Sequence, residues 1–115
     1  MLFVIRKKIA KMMDESSKYI KELIEYSKNG ILSKEIVKSK KMNATLFCMA
    51  KNTEMSEHTS TKEGIVYVLE GNGIFNLNGK DISMLPGTFI HMKKNSPHSL
   101  TAHENTSFLL LLCNN

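Results

Sequence analysis

The sequence lacks the features that mark exported and membrane-spanning chains. It has only two cysteines, Cys48 and Cys113, and both lie in apolar runs. Two cysteines do not make the disulfide framework of a small secreted protein, and a free cysteine packs as a small apolar side chain. The apolar run at residues 1–5 precedes basic residues and is far too short for a signal peptide or a membrane span. We therefore expect a cytoplasmic protein with reduced cysteines and no membrane contact.

The net charge of +5 is unevenly distributed along the chain. Residues 1–41 carry 11 Lys and Arg against 5 Asp and Glu, and the remainder is close to neutral. The basic residues of this segment alternate with acidic ones, and no aromatic platform for bases is interleaved with them. Mixed charges at i, i+4 are typical of the solvated face of a helix. We therefore expect no nucleic-acid partner.

The first thirty residues predict one amphipathic helix. Apolar residues recur at helical spacing from Ile9 to Ile24, and Asn29-Gly30 supplies a C-terminal stop. We expect this helix to pack on the outside of the domain. Residues 1–41 then form a helix and a leading strand, which is a possible dimer arm, and residues 42–115 form the main body.

Beyond Gly30 the pattern changes to short strands rich in β-branched and aromatic residues. Gly71-Asn72-Gly73, Asn78-Gly79 and Pro86-Gly87 supply the turns. Seven or eight strands at this spacing predict a mainly β double-sheet jelly roll. The predicted strands are Ile31–Val37, Thr45–Ala50, Ile65–Glu70, Gly73–Leu77, Lys80–Met84, Thr88–Met92, His98–Ala102 and Ser107–Cys113.

Two stretches resemble the cupin superfamily, and in particular its small single-domain members. The first cupin motif reads G-x5-H-x-H-x3,4-E-x6-G, and Gly71 fits its final position. Counting back from there, the motif's two histidines fall at His58 and Ser60, and its glutamate falls at Gly64. Only the first histidine is kept. Glu63 is one place away and should point to the opposite side of its strand.

The second cupin motif reads G-x5-P-x-G-x2-H-x3-N, and this chain retains its first glycine and its histidine. Gly87 and His98 have the required spacing, but Lys93, Asn95 and Ala102 stand where the motif has Pro, Gly and Asn. The resemblance covers roughly residues 42–113. It implies a cupin jelly-roll β-barrel with one N-terminal amphipathic helix.

The resemblance also implies a metal site that is incomplete here. A complete cupin site uses three histidines and a glutamate, which together hold a divalent transition metal and leave positions open for substrate. Only His58 and His98 remain, so we expect either no cofactor or a weakly held divalent transition metal.

Three interpretations of the two histidines stay open. In the first, both face a lumen that binds a small organic ligand without metal, with imidazole N–H groups as donors. In the second, His58 and His98 bind a metal with Ser60, water, a buffer ion or His91 completing the set. In the third, both are lining residues that are hydrogen-bonded inside a packed barrel. The sequence does not tell which face of its strand His91 occupies, and His103 is expected at the surface.

The predicted ligand-binding residues are the motif residues and the residues expected to lie on the same face of each strand as the motif positions. Such a lumen is mostly apolar with two imidazoles, as small-molecule pockets are, and it lacks the basic cluster that a phosphate would need. The predicted residues are His58, Ser60, Val66, Val68, Phe75, Leu77, His98 and Leu100.

The leading functional hypothesis is a cupin-type small-molecule binding protein with a degenerate metal site. The alternative is a metal-dependent cupin enzyme, a dioxygenase, isomerase or decarboxylase, that uses His58 and His98. A third is a partner protein recruited through the N-terminal helix. Small cupins pair edge strands or swap an N-terminal strand, so we also expect a homodimer, which would cover an exposed sheet edge.

Overall fold

The structure is a computed structural model that describes residues 16–114, and this part of the chain is mainly β. One short helix, α1, spans Ile20–Leu23. The strands that follow it are β1 (Ile31–Lys38), β2 (Met42–Met49), β3 (Glu54–His58), β4 (Gly64–Glu70), β5 (Gly73–Leu77), β6 (Lys80–Met84), β7 (Phe89–Met92), β8 (His98–Ala102) and β9 (Thr106–Cys113).

The strands form two antiparallel sheets that face each other. The larger has the order β1-β2-β9-β4-β7, and the smaller has the order β3-β8-β5-β6. Consecutive strands therefore often lie in opposite sheets, which is the connectivity of a jelly roll. The predicted mainly β jelly roll with a helix near the N-terminus is confirmed.

Side-chain alternation places the core between the two sheets. In β4, Val66 and Val68 are buried whereas Tyr67 is exposed, and in β8 His98 and Leu100 are buried. The parity predicted for these strands is correct. The buried core consists of Met49, Val66, Val68, Phe75, Met84, Ile90, Met92, Leu100, Ala102 and Phe108.

The helix is much shorter than the apolar spacing predicts. Ile9 and Met13 lie outside the described residues, and within them the helix ends at Leu23, well before Asn29-Gly30. Ile24 already has extended backbone with ψ of 125°. The Nζ of Lys34, on β1, donates a 2.8 Å hydrogen bond to the Leu23 carbonyl, which caps the short helix from the sheet. Tertiary contacts thus override helical periodicity here, and no helix of the described residues is long and apolar enough to cross a membrane.

Strand β3 was not predicted from the sequence. Its residues are Glu-Met-Ser-Glu-His, and four of the five are exposed, so there is no run of alternating apolar residues to mark it. Pairing with β8 forms this strand instead, with Met55 opposite Leu100 and His58 opposite His98. The missed element is the one that carries the first motif histidine.

The two cysteines differ in their environments. Both are free thiols, but only Cys48 is buried, while Cys113 is exposed at the end of β9. The expectation that both pack as small apolar side chains is therefore wrong for Cys113. Burial raises the pKa of the Cys48 thiol, so the neutral form is favoured there.

The leading strand belongs to the larger sheet of its own chain. Strand β1 pairs antiparallel with β2. Ile31 lies opposite Met49 at one end and Lys38 lies opposite Asn43 at the other, and the register shifts between Glu35 and Val37. The boundary at 41/42 falls at the turn between these two strands. Whether β1 acts as an exchangeable arm between two copies stays a prediction.

Candidate functional site

Two histidines that are forty residues apart in the chain lie side by side between the sheets. His58 ends β3 and His98 begins β8, and the two residues are register partners. Their ring centroids are 4.2 Å apart with the ring planes at 61°. The predicted convergence of the two imidazoles is what the strand pairing produces.

Backbone carbonyls fix the tautomer of each neutral ring. His58 Nδ1 lies 2.8 Å from the Ser56 carbonyl oxygen, and His98 Nδ1 lies 2.9 Å from the Ser96 carbonyl oxygen. A carbonyl only accepts hydrogen bonds, so each Nδ1 carries a proton and donates it. In the neutral imidazole the other nitrogen, Nε2, then has a free lone pair. The pair therefore offers acceptors to a ligand, rather than the N–H donors of the first interpretation.

The surroundings of His98 favour its neutral form. The residue is only 6% exposed, and the plane of the Phe75 ring lies nearly parallel to its ring at 5.7 Å between centroids. Burial lowers the pKa of His98 below 6.5, the nearby His58 lowers it further, and the hydrogen bond to Ser96 opposes both effects. His58 differs because it is exposed at the mouth of the site.

We expect the free energy of unfolding of the metal-free protein to fall as the pH drops below 6.5. The unfolded chain protonates His98 near its ordinary pKa of 6.5, while the folded chain resists protonation. The stabilising contribution of His98 is therefore complete above pH 6.5 and is lost between 6.5 and the lower folded-state pKa. Urea unfolding at a series of pH values measures it. His98→Gln should lose this component of the slope, and His103→Gln should keep it; an identical slope in His98→Gln would contradict the assignment.

The imidazoles border a small apolar cavity of about 60 Å³. Five of the eight predicted binding residues line it: His58, Val66, Phe75, His98 and Leu100. The other five lining residues were not among the predicted binding residues. Of these, Met92 could have been found from its parity with the core residue Ile90. Met55 could not, because it lies an odd number of residues before His58, and only the register shift between the two brings both to the cavity. The remaining three, Phe47, Phe108 and Leu110, lie on strands to which no inward face was assigned.

Three predicted residues lie away from the cavity. Val68 is fully buried further along β4, where it is the register partner of Phe108. Leu77 is the register partner of His98 on β5 and packs against the core. Ser60 follows the end of β3 in a turn, where its carbonyl accepts from the Asn95 amide at 2.7 Å and its hydroxyl accepts from the Lys62 amide at 3.1 Å. Its side chain therefore stabilises a loop.

The position of the motif glutamate has no room for a carboxylate side chain. A Cβ added to Gly64 would lie 2.8 Å from Leu112 Cδ2, 3.1 Å from the Leu111 carbonyl oxygen and 3.3 Å from Met92 Cε. Neighbouring side chains thus occupy the space next to this backbone. No group of three or more His, Cys, Asp and Glu within residues 16–114 is arranged to hold a metal ion. The residues therefore do not fit the four-ligand divalent centre that the resemblance implies.

His91 cannot complete the site, because it lies on the opposite face of its sheet. Ile90 and Met92 point inward from β7, and His91 points outward, where its Nε2–H donates to the Glu63 carboxylate. Glu63 thus points away from the lumen, as predicted. The second interpretation is corrected on this point, since a strand alternates and two inward neighbours force His91 outward.

A larger cavity of about 360 Å³ lies on this outer face and does not contain the imidazole pair. His91, Glu63 and the exposed Cys113 border it together with aliphatic side chains. It is larger than the inner cavity, but of these two cavities only the inner one is bordered by two imidazoles with free Nε2 lone pairs. We therefore take the inner cavity as the candidate site.

Comparison with known proteins identifies the architecture. The family described as "Cupin domain" matches residues 45–113. A conserved protein of unknown function from Streptococcus pyogenes is 21% identical over 90% of this chain and 92% of its own, with a TM-score of 0.80. A cupin 2 conserved barrel domain protein from Leptotrichia buccalis is 27% identical over 82% of this chain and 46% of its own, with a TM-score of 0.76.

One similar structure is that of an enzyme, and its likeness is to the fold alone. A mutant of salicylate 1,2-dioxygenase from Pseudoaminobacter salicylatoxidans is 17% identical over 72% of this chain and 26% of its own, with a TM-score of 0.68. None of the curated proteins compared with this chain matches it.

Proposed function

This chain is a member of the cupin family, and we propose that the cavity between His58 and His98 is its ligand-binding site. The observation that supports the proposal is the pair of imidazoles whose Nδ1 protons are bonded to carbonyls, so that both Nε2 lone pairs are left for a ligand. A matching ligand has a small apolar body and a hydrogen-bond donor such as a hydroxyl. The protein then acts as a sensor or binding module.

The dimensions of the cavity favour a small ligand. Pockets for drug-sized molecules measure about 300–1,000 Å³, whereas this one measures about 60 Å³. Aromatic and aliphatic side chains such as Phe75, Val66 and Leu100 line most of it. A molecule of a few heavy atoms fits inside such a space, and one the size of phenol fits only with part of it in the open mouth beside exposed His58. A sugar or a nucleotide is too large.

The alternative, a metal-dependent cupin enzyme, lacks half of its expected ligands. Gly64 and Ser60 replace the glutamate and the second histidine, and two imidazoles alone hold a divalent ion such as Mn²⁺ or Fe²⁺ weakly. We therefore propose that such an ion is bound weakly or not at all. Purified protein that retains one such ion per chain, and loses it in His58→Ala, would reverse this choice.

Phenol and toluene provide a matched pair of probes for the site. They share an apolar ring, but only phenol carries a hydroxyl that can donate to Nε2. We expect phenol to shift the ring C–H signals of His58 and His98 in NMR spectra, and toluene to shift them less at equal concentration. His58→Ala and His98→Ala should each weaken phenol binding by about fivefold, since one neutral hydrogen bond contributes about 1 kcal/mol.

Exposed His103 provides the control for this experiment, and His103→Ala should bind phenol as the unmodified protein does. Equal shifts with phenol and toluene would mean that hydrogen bonding to the imidazoles plays no part. Shifts confined to His91 would place the ligand in the outer cavity.

We also propose that the protein is a cytoplasmic homodimer. Two aromatic side chains support an association through the outer face of the larger sheet: Phe89 is 62% exposed and Tyr67 is 41% exposed, and they are register partners beside the sheet edge. Sedimentation equilibrium should give twice the mass of one chain. A monomer at all concentrations would contradict the proposal.

A further inference from the structure

Two thioethers share the inner cavity with the two imidazoles. Met55 lies on β3 opposite Leu100 and is partly buried, and Met92 lies on β7 and is only 3% exposed. Both line the cavity together with His58 and His98. Four side chains that carry lone pairs therefore converge in a space that is otherwise aliphatic and aromatic.

Met92 lies next to the position where the cupin motif has its glutamate. Its terminal methyl lies 3.3 Å from the point where a Cβ of residue 64 would be. Since residue 64 is glycine, the thioether side chain can extend into the space that a carboxylate would otherwise require. The chain thus has no carboxylate oxygen donor at position 64, and the methyl end of a thioether side chain lies beside that position.

This exchange changes the ion that the cavity prefers. Carboxylates suit hard ions such as Mn²⁺, whereas thioethers select monovalent copper. Imidazole is also a suitable ligand for copper. We infer that the cavity binds Cu(I), with His58 and His98 as nitrogen ligands through Nε2 and with Met92 and Met55 as sulfur ligands. This inference rests on the proposed use of the His58–His98 cavity as the binding site, and it names an ion for that site.

The hydrogen bonds of the two imidazoles leave both rings ready to bind Cu(I). In each neutral ring Nδ1 carries the proton, so Cu(I) can bind at Nε2 without displacing a proton. Copper stays monovalent in this step. His98 is held by the Ser96 carbonyl and by the Phe75 ring. His58 is held by the Ser56 carbonyl and is exposed at the mouth, so an ion can reach this ligand from solvent.

Anaerobic titration with Cu(I), in competition with bicinchoninate as a coloured Cu(I) chelator, tests the inference. The Cys113→Ser variant serves as the reference protein. The exposed Cys113 thiol would itself bind Cu(I), and this variant removes it. We expect one Cu(I) per chain in the reference. Adding Met92→Leu should weaken the affinity by at least about tenfold, and adding His98→Leu should weaken it as much or more.

Met84 provides a matched control, because it is buried in the core but does not line the cavity. Met84→Leu should leave Cu(I) affinity unchanged, and Mn²⁺ should not compete. Cu(I) affinity that is equal in the reference, Met92→Leu and Met55→Leu would overturn the inference, as would no binding at all or tighter binding of Mn²⁺. Met55→Leu, at a partly buried position, carries the test if Met92→Leu does not fold.

The two proposals fail separately. If phenol binds in a His98-dependent manner and Cu(I) does not bind, the proposed function stands and the copper inference falls. If neither probe perturbs His58 or His98, the cavity is not the binding site and both fall.

Discussion

Replacing Gly71 with alanine should destabilise the fold by about 4 kcal/mol, which combines steric overlap with backbone strain. Gly71 ends the first motif with φ of +115°, a region that residues with a Cβ rarely adopt. The added Cβ would lie 2.5 Å from Thr106 Cα and 2.6 Å from the Asn105 carbonyl oxygen. These are mostly backbone atoms, so the overlap cannot be relieved by a rotamer change. Urea unfolding monitored by circular dichroism measures the loss.

Gly79 provides the control, because it also has positive φ, at +83°, but no atom lies within 4 Å of its hypothetical Cβ. Gly79→Ala should therefore cost only the conformational term of about 1–2 kcal/mol. If the two variants unfold at the same urea concentration, the close approach of β4 to the turn before β9 is not what requires glycine at position 71.

Replacing Phe75 with alanine should cost about 3–5 kcal/mol and should also abolish ligand binding. Phe75 is 1% exposed, belongs to the core and stacks on His98. Its removal leaves a cavity between the sheets and takes away the surface that orients the buried imidazole. Thermal unfolding measures the first effect. The phenol titration, carried out below the melting temperature, measures the second.

Phe89 is the matched control, since it is the same residue type at 62% exposure on the outer face. Measured at a protein concentration where the chain is monomeric, Phe89→Ala should change the stability by less than about 0.5 kcal/mol, and it should leave phenol binding intact. A larger loss of stability in Phe89→Ala than in Phe75→Ala would contradict the assignment of inner and outer faces.

The sequence was sufficient to predict most strands because their signals are local. Alternation in β4 and β8 and the turns at Gly71, Asn78-Gly79 and Pro86-Gly87 depend only on neighbouring residues. The same local reasoning overextended the helix beyond Leu23, where contacts with β1 decide the backbone. It also missed β3, which is polar and forms only because β8 supplies its hydrogen-bond partners.

For the candidate site, motif spacing alone singled out His58 and His98 and revealed the loss at Ser60 and Gly64. Tertiary structure decided everything that depends on distance between strands. It placed His91 outside, engaged both Nδ1 atoms with carbonyls, and brought Met55 and Met92 to the imidazoles. The physical reason is that strand alternation fixes only two possible faces for a side chain, and which face is inward depends on the sheet that packs against it.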